Sequence, residues 1–305
     1  MVDIPRRTLG RTGLEVTTLG FGAMELRGDQ GGPALEDADA GRLLNAVLDE
    51  GINIIDTSID YGRSEELIGK FISHRRSEYV LASKCGCVPG GGMGVEHVHT
   101  AENIRRGVEN SLRLLNTDHL DVVQFHRSIS REEFDADGGL AEALALRDEG
   151  KVRFVGVSGV LPNLDEQIDM GSFDVFQIPY SALQREHEDV ITRASEAGAG
   201  IIIRGGVARG TPDDWEGRSY YMVANETMRD FWEEARLDEL LDGLSRTAFM
   251  LRFTLSHPAL DTTIVGTSSI EHLRDNVAVA AQGPLPDDVL SEAKRRLAAA
   301  GAVPA

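Results

Sequence analysis

The sequence predicts an α/β fold, a (β/α)8 TIM barrel with an N-terminal β-hairpin and a C-terminal extra helix. Three observations carry this expectation. Short apolar, β-branched runs alternate with amphipathic stretches about eight times along the 305 residues, the pattern of βα units on a parallel sheet. The first barrel run leads into LGFGAM, not the G-x-G-x-x-G that opens a dinucleotide-binding open sheet. No Pro/Ser-rich linker divides the chain, so residues 1–305 read as one barrel domain with additions.

Residues 7–22, RTLGRTGLEVTTLGFG, read as two short strands joined by a Gly-containing turn at 11–13, with 16–21 counted as the first barrel strand. A polar, Gly-rich loop follows at 28–32. Leu43, Leu44, Val47 and Leu48 then repeat at helical spacing, and Gly51 stops that helix. The remaining strands are expected at 52–55, 79–83, 120–125, 152–157, 173–178, 200–203 and 262–265. Each is bounded by turn residues and rich in β-branched side chains, as buried parallel strands are. Helices are expected at 64–71, 101–115, 140–148, 161–170, 186–197 and 240–256, with Ser64 and Thr100 as N-caps of the first two. Residues 285–300 read as a terminal helix outside the barrel.

The formal charge of −19, from 31 basic and 50 acidic residues, repels a phosphate backbone and argues against nucleic acid as a partner. No stretch reaches the ~18 to 20 apolar residues of a membrane span, and no basic start precedes an apolar run. A cytoplasmic chain is expected. The two cysteines, Cys85 and Cys87, are too few and too close for a disulfide framework and read as free thiols.

Three ionisable residues end successive apolar runs: Asp56 after INII, Lys84 after YVLAS and His126 after LDVVQF. In a barrel these positions face the mouth at the carboxyl ends of the strands. Tyr61 follows Asp56 on the same loop. Together they suit carbonyl reduction. A Tyr hydroxyl with a reference pKa of about 10 becomes a usable proton donor beside an ammonium, here Lys84. Asp56 would keep Lys84 charged and placed, and His126 would polarise the substrate oxygen. The hydride must come from a cofactor.

The stretch DTSIDYGRSE from Asp56 to Glu65 resembles the DTAxxYGxSE signature of the aldo-keto reductase family. The resemblance runs from LGFGAM to GTSSIEHLRDN, nearly the whole chain. It implies that Tyr61 is the proton donor, that Lys84 and Asp56 tune it, and that His126 orients the carbonyl. It also implies a nicotinamide cofactor held by Gly22, Met24, Ser158, Gln177, Arg204, Gly266, Thr267, Ser269, His272, Asp275 and Asn276. Ser158 and Gln177 match the family's carboxamide-binding residues, but Gly159 stands where the family has Asn. Arg204 replaces a Tyr common under the nicotinamide, where its guanidinium could stack on a ring or neutralise phosphate. The family's phosphate loop opens a helix. Its NADP-selective members carry Lys at the position of Gly266 and Arg at that of His272. NADP(H) is favoured on the habit of the family, with NAD(H) the alternative because both cations are missing.

The expected function is therefore NAD(P)(H)-dependent interconversion of a small-molecule aldehyde or ketone and its alcohol. An NADP(H)-binding regulatory or sensor subunit with little turnover is the alternative, and a metal-dependent barrel hydrolase a third. The pair His97-Val98-His99 has the spacing of barrel metal ligands. It lies in a Gly-rich loop, however, and of the other metal positions only His126 bears a ligand, so no metal is expected. Cys85-Gly86-Cys87 reads as small residues packing a tight loop, with a reactive thiol as the other option. Trp215, Tyr220, Tyr221, Met222 and Trp232 read equally as a substrate wall or as ordinary packing.

Overall fold

The computed structural model describes residues 3–27, 35–92, 94–127, 129–213 and 225–305. The Gly-rich loop at 28–32 and the aromatic residues Trp215, Tyr220, Tyr221 and Met222 lie outside them.

The chain begins with a hairpin. Strand β1 (Arg6–Thr8) pairs antiparallel with β2 (Glu15–Thr17), Arg7 opposite Val16. The barrel strand β3 (Leu19–Gly22) comes next, so the expected strand at 16–21 is two strands in two sheets. The break is at Thr18, whose N–H bonds back to Pro5 O at 2.8 Å while its carbonyl accepts Thr263 N at 2.9 Å. One residue thus serves both sheets.

The hairpin plugs the amino-terminal end of the barrel. Leu9, Leu14 and Val16 form one apolar cluster with the strand-start residues Ile54, Val80, Val122, Val175 and Ile202. Gly10 makes the approach feasible. Its φ is +48°, and a Cβ there would lie 2.2 Å from Gly200 N, so any side chain would push the hairpin off its seat.

Seven more strands follow: β4 (Ile54–Asp56), β5 (Val80–Cys85), β6 (Leu120–His126), β7 (Val152–Ser158), β8 (Val175–Pro179), β9 (Gly200–Arg204) and β10 (Thr262–Val265). With β3 they close a barrel in which every neighbouring pair is parallel, β10 pairing back to β3. Several strands run one or two residues further than the apolar runs predict. β5 includes Lys84, β6 His126, β7 Ser158 and β9 Arg204. Polar residues hide these ends from a hydrophobic count, yet ladder bonds such as Lys84 beside Gln124 keep them in the sheet.

The outer ring is α1 (Asp37–Asp49), α2 (Ser64–Ile72), α3 (Ala101–Leu115), α4 (Arg131–Asp137), α5 (Gly139–Asp148), α6 (Asn163–Met170), α7 (Glu188–Glu196), α8 (Asn225–Glu234), α9 (Arg246–Leu255), α10 (Ile270–Ala281) and the terminal α11 (Asp287–Ala299). Thr100 caps α3 as expected, its Oγ1 accepting Asn103 N. Ser64 does not cap α2. It is the helix's first residue, and its Oγ donates to Ala23 O at 3.0 Å and bonds Thr57 Oγ1 at 2.8 Å. The expected helix at 240–256 begins only at Arg246, because Ser245 caps it and Gly243 has φ +84°. No helical periodicity marks α4 in the sequence. It docks through Phe134, whose ring meets Phe125 of β6 edge-on at 4.9 Å; burying such a ring contributes roughly 1.5–3 kcal/mol.

Candidate active site

The carboxyl ends of β4, β5, β6 and β8 bring polar side chains into the barrel's upper interior. Asp56 and Lys84 are both buried, with about 1% of their surface exposed. Lys84 Nζ donates to Asp56 Oδ2 at 2.5 Å and to Thr57 O at 3.1 Å. Two amides complete the shell. Gln124 Nε2 and Gln177 Nε2 each donate to Asp56 Oδ2 at 2.9 Å. Ser158 Oγ donates in turn to Gln177 Oε1 at 2.9 Å. A buried ion pair is helped when further hydrogen bonds reach its charged atoms, and this one receives them from β6, β8 and the Thr57 carbonyl. Gln124 was not foreseen from sequence. It is a polar residue inside an apolar run, and its register beside Lys84 places it in the shell.

Above this pair lie the residues nearer solvent. Tyr61 is half-buried, and its ring meets His126 edge-on with centroids 6.2 Å apart. Burial drives the His126 imidazole down to about 4, so at neutral pH it is uncharged. Its Nδ1 faces a group of side chains that sequence reasoning left apart. It lies 3.2 Å from Cys87 Sγ, 3.2 Å from His97 Nε2, 3.4 Å from Asp60 Oδ2 and 3.4 Å from Ser58 Oγ. Burial alone would raise the Asp60 carboxyl, but the nearby His126 and His97 nitrogens outweigh it and hold the group well below the usual range. Burial pushes the Cys85 and Cys87 thiols up, so each holds its proton more tightly than a free thiol does.

Below Lys84, Glu65 is fully buried. Ser83 Oγ donates to its Oε1 at 2.7 Å, and burial raises its pKa to about 7.

The nucleotide-side residues lie across the mouth, where β3 and β10 are neighbours. Gly22 ends β3 beside Asp56, and Met24 is half-buried in the turn that follows. A Cβ on Gly266 would lie 2.9 Å from Gly22 O, so the two backbones meet without room for a side chain. Thr267 is buried, and its Oγ1 accepts Ser269 N at 3.1 Å. Ser269 caps α10, accepting His272 N at 3.3 Å. His272 and Asp275 are exposed and Asn276 half-buried. Arg274 is engaged elsewhere, donating to Glu50 at 2.7 Å. Arg204 is half-buried at the end of β9.

Gly159 has its own explanation. A Cβ there would lie 3.1–3.2 Å from Leu164, Gln167 and Val157, so the position where the family has Asn is tightly packed. Trp232 is a core residue, not a mouth residue: its indole donates to Asp238 at 3.0 Å and its rings meet Phe249 edge-on. No helix among the described residues is long and apolar enough to cross a membrane.

Comparison with known proteins bears on this arrangement. The model of the aldo/keto reductase family matches residues 18–297. An uncharacterized oxidoreductase YqkF of Bacillus subtilis is 30% identical over 286 residues, 90% of each chain. L-galactose dehydrogenase of Arabidopsis thaliana is 29% identical over 92% of this chain and 90% of its own. Among solved structures, the holo form of aldo-keto reductase AKR11C1 from Bacillus halodurans superposes with a TM-score of 0.83 at 28% identity over 96% of each chain.

Proposed function

Because the chain belongs to the aldo/keto reductase family, whose members are NAD(P)H-dependent oxidoreductases acting on carbonyls, we propose that Tyr61 is its proton donor and that Asp56, Lys84 and His126 complete the catalytic set. The observation that supports this most directly is the buried Lys84–Asp56 pair in a barrel mouth that also carries half-buried Tyr61 and His126, whose rings meet edge-on.

The residues fit a dinucleotide. Gly22 and Gly266 form a side-chain-free seam, and α10 opens beside it with Ser269 as cap, an arrangement suited to phosphate oxygens. Ser158 and Gln177 offer polar groups for a carboxamide next to Asp56. Met24, Arg204, Thr267, His272, Asp275 and Asn276 complete the proposed contacts. When bound, the nicotinamide supplies a hydride to the carbonyl carbon or accepts one from the alcohol carbon.

The protein's own part is the proton and its timing. Tyr61 Oη gives a proton to the carbonyl oxygen as negative charge develops there, and takes it back in the oxidative direction. The Lys84 ammonium favours the phenolate that results. Asp56 fixes Lys84, and the two glutamines fix Asp56, so the charge is placed before substrate arrives. Neutral His126 contributes an N–H donor to the same oxygen.

The cofactor preference we propose is narrow. No described cation stands at Gly266 or His272, and Arg274 is tied to Glu50. NADP(H), favoured by family habit, and NAD(H) should therefore bind with similar affinity. Titration with each by intrinsic fluorescence, followed by turnover of a general aldehyde, tests the reading. Binding with turnover is expected; failure of both cofactors to bind would refute it.

A further inference from the structure

Asp60, Cys87, His97 and His126 present four potential ligand atoms that all lie within 4.8 Å of one another. They come from four places: the loop after β4, the residue pair after β5, the loop before α3, and the end of β6. The separations between His97 Nε2 and Asp60 Oδ2, His126 Nδ1 and Cys87 Sγ are 3.1, 3.2 and 3.4 Å. Those from His126 Nδ1 to Cys87 Sγ and Asp60 Oδ2 are 3.2 and 3.4 Å. A tetrahedral zinc with its usual bonds to nitrogen, oxygen and sulfur has edges of about 3.3 to 3.6 Å. Five of the six edges are thus close to those of that tetrahedron, and the sixth, between Cys87 and Asp60, is within 4.8 Å.

We propose that these four residues bind one divalent metal ion of the zinc class, on the Nδ1 side of His126.

Protons serve this geometry poorly. The Cys87 thiol and the two ring nitrogens bring at most one proton each, so at most three of the five contacts above can be hydrogen bonds. The two ring nitrogens face each other at 3.2 Å, where two protons or two lone pairs would oppose. A cation at the centre meets all four atoms at once. The donor set, two imidazoles, one sulfur and one carboxylate, is borderline in softness. That suits zinc, not the all-oxygen shells of calcium or magnesium. Asp60 and the Cys87 thiolate balance two positive charges, and binding releases the thiol proton to solvent.

The surroundings hold the ligands in place. Asn103 Nδ2 donates to Gly86 O, Cys87 O and Val98 O at 3.3, 3.2 and 2.8 Å, tying together the two ends of the loop that carries Cys87 and His97. Ser58 Oγ accepts Asp60 N at 3.2 Å. Gly86, with φ +88°, makes the bend, and a Cβ there would lie 2.6 Å from His99 Nε2. The HxH pair is thus divided: His97 enters the cluster and His99 packs over the bend.

The consequence for His126 rests on the carbonyl reading above; the site itself does not. A metal on Nδ1 fixes the ring proton on Nε2, which makes His126 an N–H donor and never an acceptor.

The test is cobalt(II) titration of the chelator-stripped full chain, read by visible spectroscopy and metal analysis, with aldehyde turnover followed in parallel. One cobalt per chain is expected, with the intense visible bands of a tetrahedral centre, a thiolate charge-transfer band, and displacement by zinc. Cys87→Ser should remove the charge-transfer band. His97→Gln should weaken binding by more than the roughly 10–100-fold that losing an outer partner costs. Circular dichroism checks that both variants fold. Wild-type protein that shows no thiolate band, or variants that are folded and bind as wild type does, would overturn the site. Turnover without metal binding sinks this inference alone; metal binding without turnover sinks only the carbonyl reading.

Discussion

Gln124 and Gln177, from strands on opposite sides of β7, donate to the same carboxylate oxygen of Asp56, each at 2.9 Å. That oxygen also takes the Lys84 ammonium, so three donors converge on one acceptor in a site from which water is excluded. The carboxylate is held from β6 and β8 while it holds β5, which makes it a joint of the barrel as well as a tuning group.

Asp56→Asn should therefore fail in two ways. Lys84 would remain buried with only neutral acceptors, Thr57 O and the new amide oxygen, and an uncompensated buried charge costs about 3–5 kcal/mol. Urea unfolding should show a loss of that size. Turnover should fall as well, because Lys84 would lose its charge or its position. Gln124→Leu separates the two effects: it removes one donor to Asp56 and leaves the ion pair intact, so a small change in both is expected.

Tyr61→Phe removes only a hydroxyl from a half-buried ring. With Tyr61 as the proton donor, kcat should drop by about 10²–10⁴-fold, while fluorescence titration gives an unchanged cofactor Kd. A variant that retained full turnover would take the proton-donor role away from Tyr61.

His272→Arg should raise the preference for NADPH over NADH. The side chain is exposed at the start of α10, with its N–H already satisfied by Ser269. An added guanidinium near a 2′-phosphate should be worth about tenfold, or ~1.4 kcal/mol. Gly266→Lys should not give the same gain. Its Cβ would press to 2.9 Å from Gly22 O, a backbone atom, so both cofactors should bind more weakly. Steady-state kcat/KM ratios for the two variants check both statements.

The sequence made the barrel legible because each βα unit repeats one signal, an apolar run and then an amphipathic one. It hid what depends on register and on loops. Lys84, His126, Ser158 and Arg204 extend their strands, since ladder bonds, not hydrophobicity, decide where a strand ends. Asp56, Lys84 and His126 stand out in the sequence because each puts an ionisable group at the end of an apolar run, and Tyr61 follows Asp56 on the same loop. The meeting of Asp60, Cys87 and His97 is hidden, because it arises only when the loop after β4 and the long loop between β5 and α3 come together. A residue between Asp56 and Tyr61, a thiol two after a strand and a histidine in a Gly-rich loop share no spacing. Gln124 is polar within an apolar run, which is the one signal that could have been read.

Glu65 offers a test in which stability is read against pH. Burial raises its pKa from 4.5 to about 7, so the folded chain holds a proton that the unfolded chain has already released. Between those values the unfolded state binds fewer protons, and stability falls as pH rises. The penalty is absent below about pH 4.5 and complete above about pH 7, on the order of 3 kcal/mol for a shift of this size. Glu65→Gln has the same shape and no charge to bury, and Ser83 can still donate to its Oε1 as it does at 2.7 Å now. The variant should match the wild type at pH 5 and exceed it at pH 8. Thermal unfolding of both proteins at the two pH values decides the matter: a difference that does not grow with pH would mean that Glu65 is already ionised in the folded chain.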